Sequence, residues 1–559
     1  MITFDDVTIG YEGRAVLGPI SLTIPEGDLC LVVGRTGTGK STFLGAINGL
    51  VPWFTGAEMS GRVSVGGLDT RSHRPPDLAT VVGYVAQNPL AGFVTDRVED
   101  EIAYGMEQLG VAPTAMRTRV EEALDLMGIA PLRRRALAEL SGGQQQRVAI
   151  AAVLAAQPRV LVLDEPTSAL DPTAAHDVLA SIVSLVHEAG LTVVIAEHRL
   201  ERVMDVADTV VWLHRSNTDP GSIAEIGDPP TILTHADITP PLAALAHRLG
   251  WEKTPRSVRS ARRQVARERI IISVDEDGRA PSSSPPSDSQ STDPVARMTG
   301  VTVAYGALTA LDHIDLALAA GTVTALMGRN GSGKSSLLWA LQGALASTGD
   351  IIVDRDDPRS VSAARARSLV ALVPQTPADL LYLPTVGEEC DQADRESDVP
   401  AGTTAALLQQ LGLDLDPAQA PADLSEGQRL GLVLAIQLSS RPAVVALDEP
   451  TRGLDYTMKD HLRGLLRGLA VQGIAVVVAT HDVEFVAATA DRVVVLAEGE
   501  IVADGDTRSI CAGSVTLSPQ VAKVMWPKRV LTIDELVVAH RDESTREPGD
   551  SPAEPAVAR

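Results

Sequence analysis

Cysteine is scarce in this chain of 559 residues: Cys30, Cys390 and Cys511 are the only three. They lie far apart in the sequence and show no metal-ligand spacing, which disfavours a disulfide framework and a cysteine-bound zinc site. We interpret them as reduced, mostly buried thiols of a cytosolic protein.

Three further absences narrow the possible functions. No apolar run approaches the ~20 residues that a membrane-spanning helix needs, and residues 1–6 lack the basic and apolar segments of a secretory signal. The chain has 48 Lys and Arg against 72 Asp and Glu, a net charge of −24, which disfavours a non-specific nucleic-acid binder. Work at a membrane would therefore require a partner.

Two glycine-rich stretches each lie between an apolar run and a helix-like run, the context of a phosphate-binding P-loop. Their backbone N–H groups can surround a phosphate, the lysine can reach the β- and γ-phosphates, and the serine can bind Mg2+. The alternative is a turn that binds nothing, and recurrence of the full motif argues against it. The residues are Gly34, Arg35, Thr36, Gly37, Thr38, Gly39, Lys40, Ser41 and Thr42, then Gly328, Arg329, Asn330, Gly331, Ser332, Gly333, Lys334, Ser335 and Ser336.

The P-loops belong to an internal duplication. Lys40 and Lys334 are 294 residues apart, as are Tyr11 and Tyr305. Later landmarks keep nearly this separation: Gln87 with Gln375, Ser141 with Ser425, Asp164 with Asp448, Asp171 with Asp455, and His198 with His481. We expect a first copy at residues 1–250, a linker at 251–294, a second copy at 295–540 and a disordered tail at 541–559. In the linker, 256–269 is basic and helix-like, and 275–293 has the Ser/Pro/Asp composition of a flexible segment.

Continuous apolar runs that end at Asp164 and Asp448 predict central parallel strands. The predicted fold class is α/β, with two tandem P-loop NTPase units. Each unit is expected to have a mainly parallel RecA-like sheet with helices, an antiparallel β subdomain and a helical subdomain.

The ends of these strands carry a second chemical motif. Asp164 and Asp448 can hold Mg2+, and the adjacent Glu165 and Glu449 can orient and deprotonate an attacking water. The alternative is a capped strand end followed by a turn. Upstream of the first pair, Ser141 precedes two glycines at the start of a helix-like run. Alone, this motif would be an ordinary loop and helix cap, but its position ahead of the Asp-Glu strand favours a second anion cradle.

In this order, the motifs resemble two ATP-binding-cassette (ABC) ATPase domains in tandem. The resemblance implies an intramolecular, head-to-tail cassette dimer with ATP and Mg2+ as cofactors. Each ATP would lie between the P-loop of one copy and the Leu-Ser-Gly-Gly-Gln signature of the other. The resemblance also implies that the loops ending at Asp171 and Asp455 contact the opposite site.

The same resemblance assigns roles residue by residue. Tyr11 and Tyr305 would stack on adenine, although either alone is more typical of an ordinary strand. His198 and His481 would contact the γ-phosphate, a position where a lone histidine is more often structural. The other implied nucleotide or Mg2+ contacts are Gln87 and Gln375, then Ser141, Gly142, Gly143 and Gln144 in the first signature, and Ser425 and Gly427 in the second.

The second signature departs from the pattern, because Glu426 stands where the first copy has Gly142. Arg147 is likewise replaced by Gly431. A carboxylate near ATP would be repulsive, so we expect unequal turnover, with the site of Lys40, Glu165 and His198 impaired. The alternative is that Glu426 points to solvent and both sites turn over.

Two segments resemble the ATPase subunits of energy-coupling-factor (ECF) importers of vitamins or transition-metal ions: Gln87-Asn88-Pro89 and Glu197-His198-Arg199-Leu200. The implied partners are an integral-membrane scaffold subunit and a small membrane substrate-binding subunit, with this chain peripheral at the cytoplasmic face and no nucleic-acid partner. Glu101 and Glu389 would grip a coupling helix, unless they are solvated acids. The alternatives are a soluble tandem ATPase acting on ribosomes or DNA, and the tandem ATPase of a sugar or peptide importer.

Overall fold

The computed structural model describes residues 1–168, 170–216, 221–268, 270–274 and 294–541. The predicted flexible segment at 275–293 lies outside the described residues, as do all but the first residue of the predicted tail and Ala169 of the loop that ends at Asp171.

A ten-stranded sheet is the frame of the first copy. Its strands are β1 (Ile2–Tyr11), β2 (Arg14–Ile24), β3 (Leu29–Gly34), β4 (Glu58–Val65), β5 (Leu68–Asp69), β6 (Val82–Val85), β7 (Val160–Asp164), β8 (Thr192–Ala196), β9 (Thr209–Arg215) and β10 (Ser222–Gly227). The order is β5-β4-β1-β2-β10-β9-β3-β8-β7-β6. The strands from β9 to β6 are parallel, and β1, β2 and β4 are antiparallel, as predicted.

Helices cover both faces of the parallel strands. They are α1 (Lys40–Ile47), α2 (Leu50–Trp53), α3 (Pro75–Leu78), α4 (Val98–Gln108), α5 (Pro113–Leu126), α6 (Gly142–Ala155), α7 (Pro172–Ala189), α8 (Pro229–His235), α9 (Pro241–Leu249) and α10 (Val258–Arg267). Alternate residues of β3 show the two faces: Leu29 and Leu31 belong to one hydrophobic cluster, and Cys30 and Val32 belong to another. A strand buried on both faces is uniformly apolar, which explains the apolar run before the P-loop.

The second copy repeats this architecture in two sheets. Its strands are β12 (Ala296–Tyr305), β13 (Leu308–Leu318), β14 (Val323–Met327), β15 (Thr348–Val353), β16 (Val370–Val373), β17 (Val444–Asp448), β18 (Ala475–Ala479), β19 (Arg492–Ala497) and β20 (Glu500–Asp506). The core sheet is β16-β17-β18-β14-β19-β20, and β13-β12-β15 forms the antiparallel part. The helices are α11 (Lys334–Gln342), α12 (Ala363–Leu369), α13 (Val386–Glu396), α14 (Thr403–Gln410), α15 (Glu426–Leu438), α16 (Tyr456–Val471), α17 (Val483–Thr489), α18 (Thr507–Cys511) and α19 (Gln520–Met525).

The end of the second copy packs onto the end of the first. Trp251 and Ala261 share a hydrophobic cluster with Val521 and other residues near α19. The Arg262 side chain donates a hydrogen bond to the Lys523 carbonyl over 2.6 Å. Two further strands, β11 (Ile270–Val274) and β21 (Leu536–Arg541), pair antiparallel. The basic helix predicted at 256–269 therefore forms as α10 and is part of the contact between the copies.

None of the helices in the described part of the chain combines the length and apolarity needed to cross a membrane.

Candidate nucleotide sites

Each P-loop has a glycine that no other residue could replace without strain. Gly39 and Gly333 precede α1 and α11 with φ of +89° and +102°. A Cβ at Gly39 would lie 2.7 Å from a Leu17 methyl carbon, and one at Gly333 would lie 2.6 Å from the Ala310 carbonyl oxygen. The loop therefore approaches the neighbouring strand closely and aims the helix N-terminus at the site.

The P-loop lysines lie at the centre of their own loops. Lys40 Nζ donates to the carbonyls of Gly34 and Arg35 over 2.9 and 3.3 Å. Lys334 Nζ makes the equivalent bonds to Gly328 and Arg329 over 2.8 and 3.0 Å. Burial lowers the pKa of both lysines, because desolvation disfavours the charged ammonium. Nearby carboxylates oppose this lowering, and a phosphate in the loop would add further negative charge.

A hydroxyl and a carboxylate meet at the end of each P-loop strand. The Ser41 hydroxyl lies close enough to Asp164 to act on its pKa, and the Ser335 hydroxyl acts on the pKa of Asp448 in the same way. Burial raises the pKa of both aspartates. Oxygen donors with an excess of buried negative charge suit Mg2+, so these pairs fit a Mg2+ ion that completes its shell with phosphate oxygens and water. No group of three or more His, Cys, Asp or Glu in the described residues offers a complete metal cage.

The candidate catalytic glutamates are buried and conformationally strained. Glu165 and Glu449 have φ of +49° and +48°, unusual for residues with a Cβ. Their N–H groups donate to the carbonyls of Ala196 and Ala479 over 2.9 and 2.8 Å. Because both copies have this positive φ, we infer that the hydrogen bond to the neighbouring strand fixes the position of each glutamate.

A histidine accompanies each of these glutamates. Nε2 of His198 lies 2.8 Å from Glu165, and Nδ1 of His481 lies 2.8 Å from Glu449. Burial acts to raise the pKa of both glutamates, but the histidine and the P-loop lysine together hold the pKa below its ordinary value. The carboxylates are therefore ionised and able to accept a proton.

The two predicted glutamines differ in their contacts. The Gln87 side chain donates to Glu165 over 3.0 Å. Gln375 makes no such bond to Glu449 among the hydrogen bonds of the described residues, but it lines the same cleft as that glutamate.

The structure brings the P-loop of one copy opposite the signature of the other. A cleft of about 780 Å3 is lined by Lys334 and Glu449 together with Ser141 and Gly142, and it continues to Glu426 and Arg452 of the second copy. We call the part of the cleft between Lys334 and Ser141 the Lys334 site. The Lys40 site is the counterpart, which combines the first P-loop with the second signature; Glu426 lies close enough for Glu165 to raise its pKa, after the larger effect of burial.

Reciprocal hydrogen bonds tie the two sites together. The Thr36 N–H of the first P-loop donates to Asp455 over 2.7 Å. The Asn330 N–H of the second P-loop donates to Asp171 over 3.4 Å. Each aspartate thus reaches the P-loop of the opposite copy, which is the cross-contact expected from the sequence.

Both signature serines cap a helix. Ser141 Oγ accepts from the Gln144 N–H, and the Gln144 side chain accepts from the Ser141 N–H. Ser425 and Gln428 form the same capping box at α15. The predicted ligand Gln144 is therefore engaged in shaping the cap, and the helix N-terminus carries the partial positive charge.

Glu426 of the second signature lies beside two further residues that differ between the copies, Arg452 and Gly453, which the sequence analysis did not identify. Glu426 as a whole residue is exposed at the cleft, but its carboxylate end is covered, because it packs against Gly453, where a Cβ would overlap it. Arg452 lies close enough to help lower the pKa of Glu165 and to counter the rise in the pKa of Glu426. The first copy has Ser168 and Ala169 at the positions of Arg452 and Gly453. A position-by-position comparison of the copies would have found this set.

Gly431, the counterpart of Arg147, also has a packing explanation. A Cβ at Gly431 would overlap Leu413. The helical part of the second copy therefore packs too closely to α15 for an arginine at this position.

The two candidate adenine-stacking tyrosines lie at equivalent hairpin ends, where Tyr11 pairs with Arg14 and Tyr305 with Leu308. Tyr305 lines the Lys334 site, with its hydroxyl 3.5 Å from that of Ser336.

The sequence interpretation of Glu101 and Glu389 as partner-gripping acids is wrong for this structure, because both carboxylates are buried. Glu101 accepts from the N–H groups of Val94 and Thr95 over 3.0 and 2.8 Å. Glu389 accepts from those of Tyr382 and Leu383 over 2.5 and 2.7 Å. These acids hold the loops that precede their own helices.

Comparison with known proteins agrees with this geometry. The family model described as "ABC transporter" matches residues 17–168 and 311–452, more than half of the chain. A Streptomyces coelicolor protein with the provisional name ABC transporter ATP-binding protein is 47% identical, over 96% of this chain and 99% of its own length. A similarly named protein of Saccharolobus solfataricus is 31% identical, over 91% and 94%. The solved structure named RNase-L Inhibitor is 21% identical, with TM-score 0.56 over 90% of this chain and 91% of its own; this last likeness shows the fold alone.

Proposed function

The chain belongs to the family of ABC transporter ATP-binding proteins, and from that premise we propose that it is the energy-coupling ATPase subunit of an ECF-type importer. Members of the family are ATPases that use ATP with Mg2+ and generally pair with membrane components. The observation that carries the proposal is the pair of composite sites joined by Thr36–Asp455 and Asn330–Asp171. Closure around nucleotide in such an arrangement moves the two copies relative to each other.

The chemistry of the Lys334 site follows from its residues. The second P-loop and Lys334 hold the phosphates, while the α6 N-terminus at Ser141 approaches from the other copy. Glu449 orients the attacking water and takes its proton, and His481 keeps that carboxylate ionised. Mg2+, held by Ser335 and Asp448, would supply charge stabilisation to the phosphate oxygens.

An exposed apolar side chain beside each site supports a membrane partner. Val94 follows Gln87 in the first copy and is 63% exposed, and Tyr382 follows Gln375 in the second and is 76% exposed. Buried Glu101 and Glu389 fix the backbone of these two loops. Because each loop begins next to a glutamine of the catalytic site, a partner gripping Val94 and Tyr382 would respond to the nucleotide state.

The ECF assignment depends on sequence context. Gln87-Asn88-Pro89 and Glu197-His198-Arg199-Leu200 favour it over a sugar or peptide importer. The partners would then be a polytopic scaffold and a small substrate-binding membrane protein, with this chain at the cytoplasmic face.

The test is co-purification from detergent-solubilised native membranes with full-length chain as bait. We expect a scaffold and a small substrate binder to be retained by the unaltered chain and lost with Val94→Asp plus Tyr382→Asp, while basal ATP turnover persists. Val471→Asp is the control, since Val471 is exposed on α16 away from these loops. Stable association with ribosomes and no membrane protein would overturn the transport role, and two permeases with a separate extracellular binding protein would overturn the ECF assignment.

A further inference from the structure

The residues that directly follow the two histidines meet each other between the copies. Arg199 follows His198, Asp482 follows His481, and the duplication aligns them as equivalents. A guanidinium nitrogen of Arg199 lies 3.5 Å from Oδ2 of Asp482. Equivalent residues of two pseudo-symmetric units can contact each other only at the axis that relates the units. In a pair of like copies, this residue of one copy would therefore meet the same residue of the other.

The contact is buried and its charges are opposite. Arg199 is 7% exposed and Asp482 is 3% exposed. Asp482 also accepts from Lys459 Nζ over 2.7 Å. The first copy has Ala175 at the position of Lys459, so it carries no equivalent lysine. A buried charge that loses its partner is strongly destabilising. Reversing the charge of either Arg199 or Asp482 should therefore weaken the contact between the copies strongly.

A second contact at the same place is made by the second copy onto the first and has no equivalent made by the first copy onto the second. Tyr456 donates its hydroxyl proton to Glu201 over 2.5 Å and accepts from the Leu200 N–H over 3.1 Å. Pro172 is the counterpart of Tyr456 in the first copy and has no hydroxyl. Two first copies placed together would lose this bond at both positions.

We propose that Arg199, Asp482 and Tyr456 are pairing determinants that select the first copy with the second over any pairing of like copies from two chains. In a pair of first copies Arg199 would face Arg199, and both Asp482 and the Tyr456 hydroxyl that binds Glu201 would be absent. In a pair of second copies Asp482 would face Asp482, and Lys459 would offset part of the repulsion. The proposal depends on head-to-tail pairing and is independent of the transport role.

The same contact connects pairing with chemistry. Burial lowers the pKa of His481, and the Arg199 charge from the first copy is the next largest cause of that lowering. Burial raises the pKa of Glu449, but His481, Lys334 and then Arg199 together hold it below its ordinary value. A mispaired chain would lack this cation beside Glu449. Correct pairing is therefore expected to appear in the rate of ATP turnover as well as in the mass of the particle.

The test uses full-length chains with reversed charges. Asp482→Arg places three cations together and should lower ATP turnover on the order of tenfold or more, with Arg199→Asp less severe because Lys459 remains beside two carboxylates. The double exchange restores an opposite pair and should recover turnover to within about threefold of the unaltered chain. As a control, exchange of the exposed pair Arg463 and Asp460 on α16 should leave turnover unchanged.

The decisive experiment mixes the two single variants and measures the rate of ATP turnover and, by light scattering, the mass of the particle. Each variant alone carries like charges at the axis, but one chain of each kind can exchange copies and form two opposite pairs. We expect turnover to rise with concentration above the mean of the separate variants, with a particle of two chains. The proposal is wrong if the mixture gives only that mean at the mass of one chain, or if the double exchange is no better than its worse single variant.

Discussion

The Lys334 site and the Lys40 site are built from the same motifs, but the copies that complete them differ in sequence at three equivalent positions. The first copy has Gly142, Ser168 and Ala169 where the second copy has Glu426, Arg452 and Gly453. Glu426 brings a negative charge, Arg452 brings a positive charge, and Gly453 leaves the space into which the Glu426 carboxylate packs. The Lys40 site is therefore a matched rearrangement, in which one substitution needs the others.

The energetic scale of this rearrangement is large enough to separate the sites. A carboxylate about 5 Å from a phosphate charge costs on the order of 3 kcal/mol at an effective dielectric near 20. Arg452 offsets part of this cost. We infer that the Lys40 site holds nucleotide and turns it over slowly, while the Lys334 site carries most of the hydrolysis.

The largest expected difference comes from removing each catalytic carboxylate. Glu449→Gln should lower steady-state ATP turnover on the order of a hundredfold, because it removes the base of the faster site, while Glu165→Gln should lower it only a few-fold. Nucleotide binding by both variants is the control for folding. Equal slowing would contradict unequal turnover.

A double-mutant cycle tests whether Glu426 and Gly453 are matched. Gly453 has φ of +68°, so Gly453→Ala adds backbone strain as well as overlap with Glu426, and should cost about 1–3 kcal/mol of unfolding free energy. In the Glu426→Gly background the overlap is gone, and we expect about 1 kcal/mol of that cost to disappear.

Gly473 is the matched control for this cycle, since its φ is +89° and a Cβ there would meet nothing within 4 Å. The cost of Gly473→Ala should be the same with and without Glu426, as measured by denaturant unfolding. Additive costs at Gly453 would remove the argument for a matched pair.

A smaller effect is expected from pH. Burial in the cleft, and secondarily the charge of Glu165, raise the pKa of Glu426, so this carboxyl takes up a proton at a higher pH than an ordinary glutamate. Acidification neutralises it and weakens its repulsion of ATP. In a Lys334→Ala chain, ATP affinity at the Lys40 site should rise about two- to threefold as the pH falls, beginning above the range where an ordinary glutamate takes up its proton, relative to the same chain with Glu426→Gln. Parallel affinity curves for the two chains would contradict this.

Local chemistry made much of the molecule predictable. The apolar runs that end at Asp164 and Asp448 became β7 and β17, and glycine with lysine at fixed spacing became the two P-loops. These elements depend on residues near each other in the chain, so a single sequence carries their signal.

The packing of the two copies against each other and the direction of individual side chains were harder to predict from the sequence. Glu101 and Glu389 lie in the first turns of α4 and α13, and the sequence does not reveal that their carboxylates turn back to the preceding loops. Arg199 and Asp482 meet only because the copies pack about an axis, although alignment of the duplication already places opposite charges at equivalent positions.

The most direct measurement of the central claim is the number of ATP molecules bound per chain in two double variants. Lys334→Ala with Ser141→Arg alters one composite site twice, so we predict that this chain still binds one ATP, at the Lys40 site. Lys334→Ala with Ser425→Arg alters both sites, so we predict that it binds none. If the first variant binds none and the second binds one, each nucleotide lies within a single copy and the shared-site account is contradicted.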